Sequence, residues 1–140
     1  MAGDNKARNK HFIEEIWTKG NYGLVPEFIA PGFVAHDPSA PFPIRGPEGY
    51  VQWVAAYRNA FPDVVFSVED QVAEGDKIAL RWTAQGTHVG PLMGIPPTGR
   101  TIQISGAVIL RFAGGRAVES WGNWDALGML QQIGAIPALG

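Results

Sequence analysis

Four His and Asp side chains could carry out proton transfer, and they lie at three places along the chain. His36 and Asp37 are adjacent where an apolar stretch enters a proline-rich one, and His88 is flanked by closely spaced glycines. Asp125 follows a tryptophan-rich run near the end of the sequence. Histidine changes charge near neutral pH, and burial can tune a carboxylate to do so. We therefore take His88, Asp125 and His36 as candidates for acid–base catalysis.

Each of these residues also has a structural interpretation. Asp37 would cap a turn ahead of Pro38, with its histidine neighbour packed beside it. His88 would bond to the backbone at the end of a strand. Asp125 precedes a helical pattern, and because Asp is a preferred N-cap residue we favour capping for it.

The number of large side chains predicts an apolar cavity. The large side chains considered too many to serve only as core in a domain of this size are Trp53, Tyr57, Phe61, Trp82, Met93 and Trp124. Ligand pockets are mainly apolar, with a few polar groups that orient the ligand. For any single ring, core packing remains the simpler expectation. The residues predicted to contact a flat or bulky apolar ligand are Asp37, Trp53, Tyr57, Trp82, Met93 and Trp124.

The stretch ESWGNWD at residues 119–125 has the alternation of a β-strand. One face would carry Ser120, Gly122 and Trp124, and the other would carry Glu119, Trp121 and Asn123. If the first face lines the cavity, its middle position offers no side chain.

Composition excludes several classes of function. The formal net charge is −2 and no basic stripe occurs, so we expect no nucleic acid partner. The absence of cysteine excludes disulfides and thiolate chemistry. No phosphate loop, dinucleotide fingerprint, nucleophile elbow or metal-type His/Cys spacing is found, so we expect no cofactor and no metal. The N-terminus lacks an apolar signal region and no apolar stretch reaches about 20 residues, so we expect a soluble, cytoplasmic protein with no membrane partner.

Hydrophobic periodicity predicts helices in the first half of the chain and strands in the second. A first helix over residues 4–19 would start at Asp4 and stop at Gly20. The remaining predicted elements are a short helix over 24–29, a brief strand over 33–35, a loop over 38–47, a helix over 46–61, strands over 64–73, 77–88, 100–112 and 116–124, and a final helix over 125–133.

This order predicts an α+β fold in which N-terminal helices pack on a strongly curved, mainly antiparallel sheet. Residues 1–140 form one domain in this prediction. Both faces of the strands are apolar, since Ile102, Ile104, Val108 and Leu110 alternate with Ala107 and Ile109. A second copy of the chain would cover the outer face, so we predict a homodimer.

Several stretches together resemble the SnoaL-like polyketide cyclases (ester cyclases) of the nuclear transport factor 2-like superfamily. The matching stretches are FVAHDP at 33–38, GPEG at 46–49, AFPD at 60–63, GTHVG at 86–90, MGIPPTG at 93–99, WD at 124–125 and LQQIG at 130–134. The resemblance implies a cone-shaped α+β barrel with a deep apolar pocket, usually dimeric through the convex sheet. Members include cofactor-free ring-closing enzymes and hydroxylases of aromatic polyketides, and relatives include epoxide hydrolases, isomerases and non-catalytic proteins, so fold does not settle function.

In the ring-closing members an Asp on the last strand acts as acid and base, and that position corresponds to Gly122 here. A neighbouring strand supplies Gln and His, which correspond to Gly106 and Val108. The resemblance thereby adds Val108 and Gly122 to the predicted substrate contacts. General acid–base assistance contributes a factor of about 10²–10⁴ in rate, so its loss would change the ring closure.

Two functions remain open on the sequence alone. The first is a cofactor-independent acid–base cyclase or hydrolase acting on a bulky hydrophobic or aromatic substrate. The second is a ligand-binding or accessory protein that kept the pocket and lost the reaction. A domain used mainly for association is a third, less favoured interpretation.

Overall fold

A computed structural model describes residues 2–40 and 43–137 of the chain. The elements are, in order, α1 Ala2–Ile13, a π-helical turn Glu14–Thr18, a 3-10 turn Tyr22–Leu24, α2 Val25–Phe28, β1 Ile29–His36, β2 Ile44–Arg45, α3 Gly46–Ala60, β3 Val65–Glu74, β4 Lys77–Thr87, β5 Thr101–Ala113, β6 Arg116–Trp124 and α4 Ala126–Gln132. The helices pack on one six-stranded sheet, which confirms the predicted α+β class.

The sheet is mixed, with the strand order β2-β1-β6-β5-β4-β3. Strands β1 and β6 run parallel, and every other pair of neighbours is antiparallel. The long antiparallel strands agree with the prediction, because their period-2 patterns place one set of side chains under the helices. The parallel pair brings the end of β1 beside the end of the last strand.

Strand β1 is longer than the strand predicted over residues 33–35. It begins at Ile29 and includes Pro31, which the sequence placed after the end of a helix over 24–29. Its pairing with β6 shifts in register between Ile29 and Val34. Proline is tolerated where a strand ladder is interrupted, so this irregularity explains why the strand continues through it.

The first helix differs from its prediction at its start and in the form of its last part. It begins at Ala2, so Asp4 lies inside the helix and is not its cap residue. The last part, Glu14–Thr18, widens into a π-helical turn. The chain then leaves the helix at Gly20, whose φ of +74° is a conformation that glycine adopts without steric cost.

The later elements lie close to their predicted bounds. Helix α3, strands β3 to β6 and helix α4 each begin and end within one or two residues of the expected positions. The loop predicted over residues 38–47 contains the short strand β2, which pairs with β1. Residues 41 and 42 of that loop, and residues 1 and 138–140 of the predicted domain, lie outside the described residues.

The inner face of the sheet forms the core with the helices, and the outer face is open. Phe33 and Ile16 are fully buried on the inner side, and each such side chain contributes about 1.5–3 kcal/mol to stability. The large apolar side chains that stay exposed on the outer face are Val65, Val72, Ile109 and Trp121. In the described part of the chain, no helix combines the length and apolar character that a bilayer span requires.

Candidate functional site

A cavity of about 110 Å³ lies between the helices and the inner face of the sheet. Its wall is mainly apolar and includes Phe12 and Trp17 from the N-terminal helical segment and Trp53 from α3. From the sheet, Trp82 and Trp124 contribute their indole rings. These large side chains therefore surround a cavity and do not fill the core completely.

A wider, open depression of about 640 Å³ adjoins this cavity, and we call it the entrance. The residues that line both hollows are Ala35, His36, Asp37, Gly122 and Asn123. Arg45 lines the entrance but not the cavity. The ends of β1 and β6 therefore lie at the boundary between the apolar cavity and the more polar entrance.

Most predicted site residues lie at this cavity. Its lining includes His36, Asp37, Trp53, Tyr57, Trp82, Val108, Gly122 and Trp124. The other three, His88, Asp125 and Met93, are not part of the lining. The backbone alternation predicted for residues 119–125 is present, because Ser120 is buried and Trp121 is exposed.

His88 lies outside the cavity wall, in contrast to the catalytic position predicted for it. It is fully buried, and its Nδ1 atom accepts a hydrogen bond from the backbone N–H of Thr98 at 3.2 Å and lies 3.0 Å from the hydroxyl of that residue. Its ring packs 5.4 Å from the ring of Phe61. These contacts fix the loop between β4 and β5 in place. They support the structural interpretation of His88.

Asp125 occupies the cap position that the sequence favoured. Its carboxylate accepts a hydrogen bond from the backbone N–H of Gly128 at 2.8 Å, at the start of α4. The residue is exposed and does not reach the cavity. Its position therefore supports capping rather than the alternative catalytic role.

Met93 lies on the surface rather than in the cavity wall. It has a φ of +50° at the tip of a tight turn, and about half of its surface is exposed. The turn is closed by hydrogen bonds between Leu92 and Ile95, and Leu92 is the buried member. The tight reversal carries the methionine away from the cavity.

His36 contributes to a polar cluster on the outer face of the sheet. We call His36, Arg111, Glu119 and Trp121 the outer cluster. The His36 Nε2 atom lies 2.8 Å from a carboxylate oxygen of Glu119, and Arg111 donates to the other oxygen at 3.2 Å. The imidazole also stacks on Trp121, at 5.7 Å between ring centres. Hydrogen bonds from His36 and then Arg111 lower the pKa of Glu119.

This arrangement differs from the acid–base role predicted for His36. Alternate residues of a strand point to opposite faces, and His36 is paired with the exposed Trp121. Although the residue borders the cavity, its imidazole lies on the outer surface with about half of the side chain exposed. Asp37 is one residue further along and lies at the cavity.

Asp37 belongs to a second group of polar side chains at the boundary between the cavity and the entrance. We call Asp37, Ser39, Tyr57 and Trp124 the inner cluster. One carboxylate oxygen of Asp37 accepts hydrogen bonds from the backbone N–H and the hydroxyl of Ser39, at 2.9 and 2.7 Å. The other accepts from the indole N–H of Trp124 at 3.3 Å, and that N–H also lies 2.8 Å from the Ser39 hydroxyl.

Tyr57 completes the inner cluster from helix α3. Burial, and then the negative charge of Asp37, raise the pKa of Tyr57 to about 12, while a hydrogen bond with Ser39 partly offsets this rise. The Tyr57 ring meets Trp124 edge to face at 5.6 Å. The cluster therefore combines an oriented carboxylate with a phenol that keeps its proton at neutral pH.

Sequence reasoning missed Ser39, which joins the other three members of this cluster. The signal was present, because Asp-Pro-Ser is typical of a turn in which the aspartate side chain accepts from the residue two positions on. The hydrogen bonds of Asp37 to Ser39 have this form. The capping interpretation of Asp37 and its predicted place at the cavity are thus both fulfilled by one side chain.

The two glycines on the inner face differ in the space around them. A Cβ atom at Gly106 would lie 2.4 Å from the ring of Trp82 and 2.7 Å from the side chain of Trp124. A Cβ atom at Gly122 would lie 3.4 Å from Val108, which is an ordinary contact. Gly106 is therefore required by the two indoles, whereas Gly122 leaves room for a side chain.

Trp53 offers a polar group at the cavity wall that has no internal partner. Its indole N–H is buried and makes no hydrogen bond within the described residues. The neighbouring Trp17, in contrast, donates to the hydroxyl of Tyr50 at 2.8 Å. An unpaired buried donor costs stability, so a ligand acceptor would be favourable at this position. Within ranges 2–40 and 43–137, no group of three His, Asp or Glu side chains could hold a metal ion.

Comparison with known proteins gives the same family from sequence and from structure. A sequence profile described as SnoaL-like polyketide cyclase matches residues 7–133. The aklanonic acid methyl ester cyclase DnrD of Streptomyces peucetius is 30% identical over 110 residues, which cover 77% of this chain and 72% of that protein.

Solved structures of related proteins superpose over most of the chain. A candidate polyketide cyclase from Acidithiobacillus ferrooxidans is 35% identical with a TM-score of 0.84, covering 92% of this chain and 93% of its own. AclR, a candidate hydroxylase from Streptomyces galilaeus, is 26% identical with a TM-score of 0.84, covering 100% of this chain and 87% of its own. These similarities confirm the cone-shaped α+β fold that the sequence motifs implied.

Proposed function

This chain belongs to the SnoaL-like polyketide cyclase family, and from that premise we propose that it is a cofactor-independent acid–base enzyme that closes a ring in a bulky aromatic substrate. The observation that supports this proposal best is the apolar cavity that ends at the inner cluster. Apolar walls provide affinity, and a few polar groups at one end orient the reacting part of the ligand.

The size of the cavity indicates how such a ligand would bind. An engineered cavity of about 150 Å³ in another protein accepts benzene, so a cavity of about 110 Å³ would take in no more than a single ring. The rest of a larger substrate would lie in the entrance, whose volume is about 640 Å³. Groups at the boundary between them would then lie beside Asp37 and Tyr57.

The compound named in the curated relatives is the first to test. Aklanonic acid methyl ester added to the protein should quench tryptophan fluorescence, because several tryptophans line the cavity. Ring closure by carbon–carbon bond formation should give a product of unchanged mass and altered chromatographic retention. Hydrolysis is the other reaction class expected for this site. Hydrolysis of an epoxide would add one water to the product mass, whereas hydrolysis of the methyl ester would release methanol and leave a free acid that is lighter by one CH2 group.

Filling the cavity provides a matched control for this experiment. Gly122→Phe should abolish binding and turnover, since position 122 faces the cavity and a phenyl ring would fill it. Gly32→Phe makes the same change at an exposed site with no atom near the added Cβ, and it should leave both unchanged. Turnover that survives Gly122→Phe in a folded protein would contradict the placement of the substrate.

A second function is favoured by the three inner-face positions without polar side chains. The positions that resemble the acid–base residues of ring-closing members hold Gly106, Val108 and Gly122. A protein that binds an aromatic ligand without converting it would have this composition. Fluorescence quenching by the ester with neither a retention change nor a mass change would support this alternative over catalysis.

For the assembly we propose a homodimer formed through the outer face of the sheet. The support is the row of exposed apolar side chains on that face, of which Val72 is 70% exposed. Light scattering coupled to size-exclusion chromatography should give twice the chain mass of 15.1 kDa. Ile109→Lys should shift the mass to that of a monomer, and a monomeric wild-type protein would contradict the proposal.

A further inference from the structure

Asp37 is the carboxylate that borders both the cavity and the entrance in the described part of the chain. An ionised carboxylate has about four acceptor sites on its two oxygens. Ser39 occupies two of them on one oxygen, and Trp124 occupies one on the other at the long distance of 3.3 Å. The second oxygen therefore keeps acceptor capacity while its orientation is fixed by neighbouring groups.

The sheet register places this carboxylate beside an empty position. Strands β1 and β6 are parallel, with Ala35 opposite Ser120 and His36 opposite Trp121. The next residues along the chain are Asp37 and Gly122, and both line the cavity and the entrance. Because Gly122 has no side chain, nothing from that position stands between the carboxylate and the cavity.

Tyr57 lies close enough to act with Asp37. The two residues are joined through Ser39, and the charge of Asp37 contributes to the raised pKa of the phenol. A phenol that stays protonated can donate a hydrogen bond to an oxygen that becomes negative during a reaction. The inner cluster thus has a proton acceptor and a proton donor at one end of an apolar cavity.

Resting on the proposed function, we propose that Asp37 is the catalytic base of this site and that Tyr57 stabilises the enolate oxygen. The carboxylate takes a proton from the carbon next to a ketone, and the electron pair of that C–H bond forms an enolate. The enolate carbon attacks a second carbonyl carbon of the same substrate, and the electron pair of that C=O bond moves to its oxygen. This alkoxide takes the proton back from Asp37, so the carboxylate is regenerated.

The reaction is an intramolecular aldol addition, in which one carbon–carbon bond forms and no atom is gained or lost. It needs no oxidant, reductant or co-reactant. The substrate class is an aromatic polyketide with a ring that fits the cavity and two carbonyl groups that reach the entrance. A base placed within hydrogen-bonding reach of the reacting carbon contributes about 10²–10⁴ in rate.

Proton exchange on a simple ketone tests the base separately from ring closure. We would incubate the protein with 2-tetralone in D2O and follow loss of the α-proton signal by NMR. Wild-type protein should accelerate the exchange above the buffer rate, and Asp37→Asn should slow the catalysed rate by about 10²–10⁴-fold. Asp70→Asn is the matched control, because Asp70 is an exposed carboxylate on β3 paired with Arg81, and it should keep the wild-type rate.

A second pair of variants keeps the test decisive if Asp37→Asn does not fold. Tyr57→Phe retains the ring in the core and removes the hydroxyl, and it should slow exchange by about 10²-fold. Tyr22→Phe is its control, because Tyr22 packs against the core outside the cavity lining. Exchange at the wild-type rate in folded Tyr57→Phe would overturn the proposed role of the inner cluster.

Restoring a carboxylate beside Asp37 distinguishes catalysis from a purely structural role. In the double variant Asp37→Asn with Gly122→Asp, the new carboxylate has room at position 122 and should recover part of the exchange. A structural defect caused by losing the Ser39 hydrogen bonds would not be rescued in this way. Recovery supports the assignment of Asp37, and a folded double variant without recovery overturns it.

The remaining outcomes separate this inference from the proposed function. If wild-type protein converts aklanonic acid methyl ester and folded Asp37→Asn converts it equally well, the site is an enzyme and Asp37 is not its base. If wild-type protein neither exchanges the ketone proton nor converts the ester, the proposed function fails and the inference fails with it.

Discussion

The inner and outer clusters begin at adjacent residues, Asp37 and His36, yet they lie on opposite faces of the sheet. The outer cluster is a set of polar groups on the outer face, in which Glu119 bridges a histidine and an arginine. The inner cluster lies against an apolar cavity and includes a tyrosine whose pKa is raised mainly by burial. Each cluster therefore contains a carboxylate and a tryptophan, but the surroundings of these groups differ on the two faces.

The two clusters show that the surroundings of a polar side chain, more than its residue type, set how strongly it interacts. Charges in solvent are screened, and exposed ion pairs contribute little to stability. Polar groups next to an apolar cavity interact more strongly because the local dielectric is low. Histidine is the residue type better suited to proton transfer near neutral pH, but the side chain that contacts Trp124 at the cavity is that of the aspartate.

The largest expected effect comes from a substitution in β5 that disrupts the inner cluster. Gly106→Val would place its Cβ atom within 2.7 Å of both Trp82 and Trp124, so the indole that contacts Asp37 must move. We expect a destabilisation of about 1–3 kcal/mol or more from overpacking, together with altered near-ultraviolet circular dichroism. Thermal and denaturant unfolding would measure the change.

The control for this variant is the second glycine on the same face. Gly122→Val adds its Cβ at 3.4 Å from Val108, so it should cost clearly less stability than the change at Gly106. Equal destabilisation by the two substitutions would show that the indoles do not depend on Gly106.

A smaller effect should appear when the inner cluster is titrated with base. The folded state raises the pKa of Tyr57 from 10.0 to about 12, so its contribution to stability is complete below pH 10. That contribution should be lost as the pH rises through about 12, because the folded protein resists ionisation that the unfolded chain accepts. The melting temperature of wild-type protein should therefore fall more steeply over this range than that of Tyr57→Phe. Parallel curves for the two proteins would contradict the assignment of this shift to Tyr57.

The smallest effect is expected from the outer cluster. The folded state lowers the pKa of Glu119 from 4.5, so its contribution is present at neutral pH and is lost as the pH falls through the lowered value. Glu119→Gln should lower the melting temperature slightly at neutral pH, and the difference from wild type should vanish in acid and shrink in high salt. Binding of an aromatic ligand should not change, and a large loss of binding would show that the outer cluster supports the cavity.

Much of the fold could be predicted because the relevant signals are local. The alternation of apolar residues predicted β3 to β6, and Gly46 with Pro47 predicted the start of α3. The cap position of Asp125 was predicted because Asp is a preferred N-cap residue and a helical pattern follows it in the sequence. The irregular stretch of β1 was missed, because Pro31 usually ends a strand unless the pairing around it is interrupted.

The candidate site was predicted only in part, because it depends on contacts between distant residues. The cavity-lining tryptophans were expected from composition, and their positions agree with that expectation. The position of His88 outside the cavity wall depends on Thr98 in the loop between β4 and β5. The backbone N–H of Thr98 donates a hydrogen bond to the imidazole ring. The partners of His36 on the outer face, Trp121 and Glu119, come from β6, and no pattern within β1 reveals them.

The sequence by itself determined which residues share a face of each strand and which residues begin or end a helix. These features follow from backbone geometry and side-chain preferences within a few neighbouring positions. Only the tertiary structure decided that Asp37, of the two adjacent polar residues, would join Trp124 and Tyr57 in the inner cluster. Asp37 contacts Trp124 across 87 positions of sequence, and the parallel register of β1 and β6 brings them together. That register is set by packing of the whole sheet against the helices, so no local stretch of sequence contains it.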